Sequence, residues 1–582
     1  MSDPSTPTFS RAPRVTRRSL LGGALAAGAG LAIPDVVRAA GPGHAVSAPG
    51  SRSCDVVIVG AGLAGLTTAR LLAQAGLTVV VVEARDRVGG RTLNHPLGDG
   101  RVIEVGGQWV GPLPGEPATA TVPAQAVYKP QSRIYALAKQ VGIGTFKTYN
   151  SGKYVDFSNG NRTTYDSSTR IPADLSAPNA GLGLGLLNQM AAQIDTNAPY
   201  NHPKALQWDQ QSVETWMREN LPPGPGLAAD AQLPPTSPDR QLINLAIESV
   251  FSAEPRDISL LHVLWYIANA GTFDNLIDTA NGAQDSRFIG GSQQISINVA
   301  NALGDAVLLS APVRSITQSG SGVVVKGDNF SVSASRVVVT IPPHLNLGID
   351  YEPSLSRFDG GLRDQLVQRA PMGSVIKVQC LYSHPFWRSQ GLAGQATSDT
   401  GPVKITFDNT PYPDDGTAGA SPGVLIGFIE GSDGRVWMQR SAADRRAAVV
   451  ASMARYFGVE ANNLTGYVEM LWPQERWTGG CYGAFFPTGV WTSYGTALRA
   501  PLGAVHWAGT ETATTWAGYM DGAVQSAERV TAEVLAAAGL TPAGGPPTVL
   551  PESMLGAVAL PVLGTAAAVA VARHRVQNPA GG

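Results

Sequence analysis

The sequence predicts an α/β fold built on buried parallel strands, and three observations indicate it. An apolar, β-branched run at 55–60 is followed by helical spacing at 63–75 and by a second β-rich run at 77–83. Glycines stand at the turn between the first strand and the helix. Strand-like alternation returns after residue 306. The first three segments form a βαβ unit.

The remaining elements follow from the same periodicities. The stretch 151–239 is rich in Asn, Gly and Pro and is expected to hold only helical pieces such as 212–219. Further helices are predicted at 133–141, 241–251, 260–270, 294–303, 442–457 and 522–535. Further strands are predicted at 306–313, 322–325, 336–341, 375–381, 424–429 and 505–508.

Length and composition indicate a globular chain of at least two domains. The chain has 582 residues, of which 43% are hydrophobic and 15% charged, and its formal net charge is -2. Because the sequence shows no basic stripe, no nucleic-acid partner is expected. Cys54, Cys380 and Cys481 lack the spacing of a disulfide framework, and neither they nor the eight histidines show metal-ligand spacing, so no metal site is predicted.

The N-terminal region resembles an export signal. Arg17 and Arg18 precede a Gly/Ala/Leu stretch, and small residues at 37–40 suit cleavage. We therefore predict a twin-arginine signal peptide and linker at 1–50 and a protein that works outside the cytoplasm. The twin-arginine route carries folded proteins, which suits a chain that binds a cofactor before export.

The C-terminal region 541–582 is predicted to be a linker followed by a hydrophobic tail. Residues 554–572 carry no charge and precede Arg573 and Arg575, close to the ~20 residues that cross a bilayer. Because the stretch is rich in alanine and contains Pro561, a membrane anchor and a surface-docking or processed tail are both open interpretations. A homodimer and a monomer are both compatible with the sequence.

The first chemical motif is a Rossmann-like dinucleotide fingerprint. Gly60, Gly62 and Gly65 lie between the first strand and helix, where they permit a tight turn and let a pyrophosphate approach the helix N-terminus. Glu83 ends the second strand and can accept hydrogen bonds from the ribose hydroxyls of an adenosine. This motif is common to NAD and FAD proteins.

The next residues extend the fingerprint. Arg85 and Arg91 supply cations near a second glycine pair, and Gly106 and Gly107 provide backbone that a flat ring can approach. In this extended motif the chain resembles the flavin amine oxidase family, which binds FAD. The resemblance covers roughly residues 54–540 and implies a monoamine oxidase-like fold: a discontinuous FAD-binding domain and an α+β substrate-binding domain.

The resemblance is closest near the C-terminus. The segments 507–514 and 516–524 are similar to the second FAD-binding segment of monoamine oxidases, in which a helix N-terminus points at the cofactor. Residues that the resemblance assigns to FAD here are Gly509, Thr510, Glu511, Ala523 and Val524. Val313, in a Pro-Val pair, resembles the backbone contact on the adenine side.

A third segment resembles the one that carries the flavin tether. Trp472 precedes Thr-Gly-Gly-Cys-Tyr at 478–482, where monoamine oxidases attach the flavin through a cysteine thioether. The resemblance thus implies that Cys481 is the candidate for a covalent link. The alternative is an unreactive buried cysteine beside non-covalent FAD.

Three residues are candidates for the reactive centre. Tyr482 and Tyr519 match the two tyrosines that stand either side of the amine in the family, where their electron-rich faces orient it. Lys377 lies on an alternating segment that predicts an inward side chain, and an inward lysine needs a partner. The resemblance implies that it holds a water against the flavin.

The resemblance also implies the domain boundaries. We predict FAD-binding segments at 53–136, 280–345 and 470–540 and substrate-binding segments at 137–279 and 346–469. Trp109 replaces a tyrosine common in the mammalian members, and the loop at 112–125 is longer than usual, so substrate preference does not transfer directly.

The function implied is FAD-dependent oxidation of a primary amine, with aromatic amines as candidates. The substrates are the amine and O2, and the products are aldehyde, ammonia and hydrogen peroxide. Two alternatives stay open: an L-amino-acid or polyamine oxidase on the same fold, and a catalytically silent surface flavoprotein.

Overall fold

The computed structural model describes residues 50–115, 129–166, 178–222, 237–414 and 421–540. The predicted signal peptide up to residue 49, most of the 112–125 loop and the whole 541–582 tail, with its 554–572 segment, lie outside these described residues. Among the helices of these ranges, none is long and apolar enough to cross a membrane.

Twenty strands form the sheets within the described residues. The first ten are β1 (Gly50–Val59), β2 (Val79–Val82), β3 (Asn94–Pro96), β4 (Val102–Glu104), β5 (Trp109–Val110), β6 (Thr145–Lys147), β7 (Lys153–Ser158), β8 (Asn161–Asp166), β9 (Ser286–Phe288) and β10 (Val307–Leu308). The others are β11 (Val313–Ser319), β12 (Gly322–Gly327), β13 (Phe330–Val339), β14 (Asp350–Glu352), β15 (Val375–Tyr382), β16 (Leu392–Ser398), β17 (Ile405–Asp408), β18 (Gly423–Glu430), β19 (Gly466–Leu471) and β20 (Val505–Trp507).

Sixteen α-helices pack around them in the described ranges. The first eight are α1 (Leu63–Gln74), α2 (Ser132–Gln140), α3 (Pro178–Ala191), α4 (Ala205–Asp209), α5 (Val213–Asn220), α6 (Pro238–Phe251), α7 (Leu260–Ala270) and α8 (Phe273–Ile277). The others are α9 (Gln293–Leu303), α10 (Ser356–Asp359), α11 (Leu362–Gln368), α12 (Phe386–Ser389), α13 (Gly431–Trp437), α14 (Ala442–Phe457), α15 (Val490–Tyr494) and α16 (Met520–Ala537).

The first sheet contains the predicted βαβ unit. Its order is β10-β2-β1-β13-β12-β11-β14, and β20 also pairs with β13. Strand β1 lies between β2 and β13 and is parallel to both, with Val57 opposite Val80 and Val337. Because both faces of these strands are covered, their valines and isoleucines are buried throughout 56–59. Apolar residues of α1, α9 and α16 share one core with this sheet.

The second sheet, of seven strands, has the order β19-β15-β18-β17-β16-β7-β8. Strand β15 is central to the site because it pairs antiparallel with β18 and β19, which places Lys377 beside Phe428 and Met470. Two small sheets complete the fold: β3 with β4, and β5-β9-β6. Helix α7 is buried on every side, which explains its continuous apolar sequence.

The structure differs from the sequence prediction in two places. The stretch expected to hold only helical pieces contains the hairpin β7–β8, turned at Asn159 and Gly160, both with positive φ. The single strand predicted at 306–313 is split into β10 and the start of β11, because Ser310 has φ 53° and breaks the extended run. The predicted domain boundaries stay a prediction.

Candidate active site and cofactor cavity

One cavity brings together sixteen of the nineteen residues that the sequence singles out. It has a volume of about 530 Å³, within the range typical of ligand sites. The predicted residues in its wall are Gly60, Gly62, Glu83, Arg85, Arg91, Gly106, Gly107, Val313, Lys377, Trp472, Cys481, Tyr482, Gly509, Thr510, Tyr519 and Ala523.

The wall is glycine-lined where β1 meets α1. Gly60 has φ 104°, a conformation that favours glycine. Helix α1 begins without a side-chain cap and without an acidic residue in its first turn. Its first N–H groups have no partner within the helix, and Gly62, Leu63 and Ala64 lie in the cavity wall. This end of the cavity therefore attracts an anion such as a phosphate.

Glu83 and Arg85 stand beside this helix end. The Glu83 carboxylate accepts from the Ala61 N–H at 2.8 Å and from Nη1 of Arg85 at 3.2 Å. Nη2 of Arg85 donates to Thr478 and pairs with Glu475, while its buried Nε has no hydrogen-bond partner within the protein. A buried, unpartnered N–H in a cavity wall indicates that a bound polar group completes the site.

An ion pair supports the middle of the wall. Nη1 of Arg91 donates to Oε1 of Glu511 at 2.5 Å, and Nη2 donates to Oε2 at 3.0 Å. Burial alone would raise the pKa of Glu511, but the charge and hydrogen bonds of Arg91 prevail and lower it. Gly106 lies beside this pair, and a Cβ there would be 2.3 Å from the carbonyl oxygen of Arg91, so only glycine fits.

Lys377 reaches the cavity from β15 and is held by two acceptors. Its Nζ donates to the Gly106 carbonyl at 2.6 Å and to Oε1 of Gln108 at 2.5 Å. The ring centroids of Trp109 and Phe428 lie 5.7 Å and 5.8 Å from Nζ. Burial lowers the pKa of Lys377 to about 7, so a substantial fraction of this amine is neutral near physiological pH.

Aromatic side chains surround the other end of the cavity. We define the aromatic chamber as the part lined by Tyr266, Phe407, Phe428, Tyr482 and Tyr519. Its two predicted tyrosines are anchored through their hydroxyls: Tyr482 donates to Oε1 of Glu430 at 2.8 Å, and Tyr519 donates to the Leu276 carbonyl at 3.3 Å. Their aromatic rings therefore have restricted orientations in the wall.

Glu430, behind Tyr482, is an unusual carboxyl group. It lies at the end of β18, is buried, and accepts from the hydroxyls of Tyr482 and Ser252. Burial raises its pKa to about 8, although the hydrogen bond from Tyr482 acts in the opposite direction. Glu430 is not part of the cavity wall and acts on it through Tyr482.

The three cysteines of the chain are free and differ in position. Cys481 lies in the cavity wall, whereas Cys54 and Cys380 do not. Burial raises the pKa of the Cys481 thiol to about 12, and the positive charges of Arg91 and Lys377 act against this shift. Cys481 is therefore the cysteine that a ligand in this cavity can contact.

Three of the residues predicted to bind the cofactor do not line the cavity. Gly65 lies one turn behind the wall, where a Cβ would be 2.0 Å from the Gly60 carbonyl oxygen, so it serves the approach of helix to strand. Glu511 supports the wall through Arg91. The side chain of Val524 packs in the core shared by α1 and the first sheet.

Several residues of the site were not assigned a role from the sequence. Tyr266 comes from the middle of α7, and nothing in that apolar helix marks it. Phe428 lies on the strand predicted at 424–429 without a role, and Glu430 lies one residue beyond that predicted strand, at the end of β18. Gln379 had a usable signal, because it is two residues after Lys377 on the same strand and shares its face.

The wall has the features that FAD requires. Helix α16, like α1, begins at the cavity without a side-chain cap, so two helix N-termini provide free N–H groups for a pyrophosphate. The unpartnered Nε of Arg85 can donate a hydrogen bond to a polar group of the cofactor. Gly106 and Gly107 have no side chains, so a flat ring can approach their backbone in the cavity wall. In the described segments, no group of three or more His, Cys, Asp or Glu side chains is placed to hold a metal ion.

Comparison with known proteins gives consistent matches over most of the chain. Residues 63–535 match the family described as flavin containing amine oxidoreductase. The flavin-containing amine oxidase B of Sus scrofa is 35% identical over 500 residues, covering 84% of this chain and 88% of that protein. An L-amino acid dehydrogenase of Synechocystis is also 35% identical, over 495 residues, covering 84% and 96%. The structure of a wild-type putrescine oxidase bound to putrescine superposes with a TM-score of 0.72, at 35% identity, covering 84% and 100%.

Proposed function

The chain belongs to the flavin-containing amine oxidoreductase family, and from this premise we propose that it oxidises primary amines with an apolar or aromatic tail. The protein is an FAD-dependent oxidoreductase that acts on amines. The finer proposal adds O2 as the electron acceptor, with aldehyde, ammonia and hydrogen peroxide as products. The observation that carries the proposed substrate class is the composition of the aromatic chamber.

The chamber suits one amino group and an apolar tail. Beyond its five aromatic residues, Leu276, Ile277 and Ile405 line this end of the cavity, with Gln284 among the few polar side chains. Within the described wall, the one carboxylate is Glu83, which lies at the glycine-lined end and is bonded to Ala61 and Arg85. A second ammonium in the chamber would thus lack a paired charge, which disfavours diamines.

The chain's own residues orient the amine and keep it in a reactive state. When bound, the flavin supplies the acceptor for a hydride or its equivalent from the carbon beside the nitrogen. The rings of Tyr482 and Tyr519, held through their hydroxyls, present electron-rich surfaces to the amino group. The apolar wall excludes water from the reacting carbon. Lys377 supplies a polar contact in the wall, and we propose that it holds one water molecule against the bound flavin.

The proposal is tested with a panel of amines. Phenylethylamine, benzylamine, tyramine, putrescine and phenylalanine are each mixed anaerobically with the holoenzyme, and bleaching of the flavin absorbance is followed. We expect rapid bleaching by the three arylalkylamines and at least roughly tenfold slower bleaching by putrescine, because one buried, unpaired ammonium costs more than 1.4 kcal/mol. If no member of the panel bleaches the flavin, the amine oxidation proposal fails.

The alternatives have distinct outcomes in the same panel. Faster bleaching by putrescine than by phenylethylamine would favour a polyamine oxidase, and faster bleaching by phenylalanine would favour an amino-acid enzyme, as the name of the Synechocystis relative suggests. Peroxide release on admission of air would show that O2 accepts the electrons. Absence of both bleaching and peroxide would indicate a catalytically silent flavoprotein.

We further propose that, when FAD is bound, the sulfur of Cys481 forms a thioether with the flavin methyl carbon. The S–H bond and one C–H bond of the methyl group would be lost, and the two electrons released would pass through the flavin to O2, the acceptor proposed above. Support comes from its place in the wall and from the resemblance of 478–482 to the tether segment of the family. Cys54 and Cys380 lie away from the cavity.

We also propose that the protein is exported by the twin-arginine route, with the tail as a candidate membrane anchor. Arg17 and Arg18 support the first part and the uncharged segment 554–572 supports the second. Replacement of both arginines by lysine is expected to retain the holoprotein in the cytoplasmic fraction of a bacterial host, while the unchanged chain appears outside it. Equal export of both proteins would refute the route.

A homodimer stays a prediction, which light scattering after size-exclusion chromatography tests.

A further inference from the structure

A chain of three buried amide side chains leads to Lys377. Nε2 of Gln379 donates to the Glu104 carbonyl at 2.9 Å, and Oε1 of Gln379 accepts from Nδ2 of Asn409 at 2.9 Å. Oδ1 of Asn409 accepts from Nε2 of Gln108 at 2.7 Å, and Oε1 of Gln108 accepts from Nζ of Lys377 at 2.5 Å. All three amides are at most 2% exposed, so water does not compete for these bonds.

The direction of this chain is set at its far end. The Glu104 carbonyl can only accept, so Gln379 must turn its NH2 group towards it and its oxygen towards Asn409. Asn409 must then donate its NH2 group to Gln379, so the oxygen of Asn409 points towards Gln108. Gln108 donates its NH2 group to that oxygen, and its own oxygen therefore points towards Lys377. A backbone carbonyl three side chains away therefore determines that Nζ meets an acceptor.

The acceptor has a consequence for the amine. A neutral amine has two N–H groups and one lone pair. The carbonyl of Gly106 and Oε1 of Gln108 occupy the two N–H groups. The remaining direction at Nζ is then the lone pair, and Lys377 itself lines the cavity between Trp109 and Phe428.

We propose that Gln379, Asn409 and Gln108 form a directional amide relay that positions Lys377, so that its neutral amine presents the lone pair to the cavity. Lys377 then accepts a hydrogen bond from a water or from the N–H of an amine substrate. The inference deepens the proposed amine oxidation and rests on it for the identity of the donor. The three amides are positioning residues that act through Lys377.

The charges around Lys377 are consistent with a neutral amine. Burial is the largest influence and lowers its pKa to about 7, Glu104 and Cys481 raise it, and Arg287 lowers it. Glu104 is itself paired with Arg287 at 3.3 Å, so its charge is compensated. On the strand beside Asn409, Asp408 is bonded to Arg388 at 2.8 Å. Each of these carboxylates thus has a partner other than Lys377.

The relay is tested by Asn409→Leu, a change of similar size that cuts its middle link. The Nε2 of Gln108 then lacks its acceptor and turns towards Nζ, where only a neutral lysine can accept from it. We expect the acidic limb of the pH profile for anaerobic flavin reduction to move to lower pH by about half a unit or more. The limiting rate should fall roughly tenfold, because the lone pair is then used by Gln108.

Thr406→Val is the matched control. Thr406 is a fully buried polar residue on β17, three positions before Asn409, and its hydroxyl donates to the Gly394 carbonyl outside the relay. This variant is expected to leave the acidic limb unchanged. Gln379→Met cuts the far link and should shift the limb in the same direction as Asn409→Leu, which keeps the test available if Asn409→Leu does not fold.

A second readout does not depend on turnover. Because burial lowers the pKa of Lys377 from 10.5 to about 7, between pH 7 and pH 10.5 the amine is protonated in the unfolded chain and neutral in the folded protein. Folding in this range must therefore release the proton, and the free-energy cost of that release shrinks as the pH rises. The melting temperature of the holoenzyme relative to Lys377→Met should therefore increase from pH 7 towards 10.5. In the Asn409→Leu variant the pKa of Lys377 should be lower still. The rise in melting temperature relative to the Asn409→Leu/Lys377→Met double variant should therefore begin below pH 7.

These readouts separate the relay from the proposed function. If no amine reduces the flavin, the proposed function fails, while the melting-temperature comparison still tests the relay. The relay would be overturned if Asn409→Leu left unchanged the pH range over which the melting-temperature difference rises. It would also be overturned if Thr406→Val moved that range, or the acidic limb, as far as Asn409→Leu does. A limb shift that persists in Lys377→Met would also overturn it, because the amides would then act without Lys377.

Discussion

Replacement of Gly65 by alanine is expected to remove FAD binding and to lower the free energy of unfolding by about 3 kcal/mol. The added Cβ would lie 2.0 Å from the Gly60 carbonyl oxygen and 2.8 Å from Oγ1 of Thr340. Because the first contact is with backbone, α1 must move away from β1, and its anion-binding N–H groups move with it. The absorbance of the purified protein and titration with FAD measure the first effect, and thermal denaturation measures the second.

Gly185→Ala is the matched control for this prediction. Gly185 also lies inside a helix, α3, but a Cβ there meets no atom within 4 Å. Alanine has the higher helix propensity, so this variant should be about 0.5–1 kcal/mol more stable and should retain FAD. A Gly65→Ala protein that purifies yellow with an unchanged melting temperature would contradict the prediction.

Replacement of Cys481 by alanine is expected to convert all of the bound flavin from a covalent to a dissociable form. After acid precipitation, the unchanged protein should hold its yellow colour in the pellet, and the variant should release it to the supernatant. The physical reason is position, because Cys481 is the cysteine in the cavity wall. Mass spectrometry of the peptide that contains residue 481 provides the direct measurement.

Cys380→Ala is the control for the covalent link. Cys380 is fully buried in β15 and does not line the cavity, so this variant should keep its flavin in the pellet. Because burial raises the pKa of Cys481 to about 12, the reactive thiolate becomes more abundant as pH rises, and attachment to added FAD should be faster at higher pH. Release of flavin from the unchanged protein would refute the link.

The sequence predicted the cofactor end of the site almost completely. Gly60, Gly62 and Glu83 belong to a local strand–turn–helix unit, whose geometry depends on residues close together in the chain. The structure places all three in the cavity wall. Gly65 was predicted from the same motif and Val524 from the C-terminal segment 516–524, but both lie behind the wall. A motif identifies a segment and not which of its side chains faces the ligand.

The sequence could not predict the substrate end in the same way. Tyr266, Phe407 and Glu430 come from α7, β17 and β18, and each looks like an ordinary buried residue in its own segment. Their role follows from contacts between distant segments, such as the 52 residues that separate Glu430 from its partner Tyr482. The hairpin β7–β8 was missed for a related reason: its first strand, β7, pairs with β16, which lies far away in the chain.

By itself the sequence determined the family, the dinucleotide-binding βαβ unit and the residue types at the reactive centre, because these depend on local spacing and on short motifs. Only the tertiary structure decided which residues line the aromatic chamber and which acceptors hold the Lys377 amine. The direction of the relay depends on a backbone carbonyl at Glu104 and on three amides at 108, 379 and 409. Hydrogen bonds between such distant positions exist only after the segment 104–108 has packed against the second sheet, so no local pattern could encode their direction.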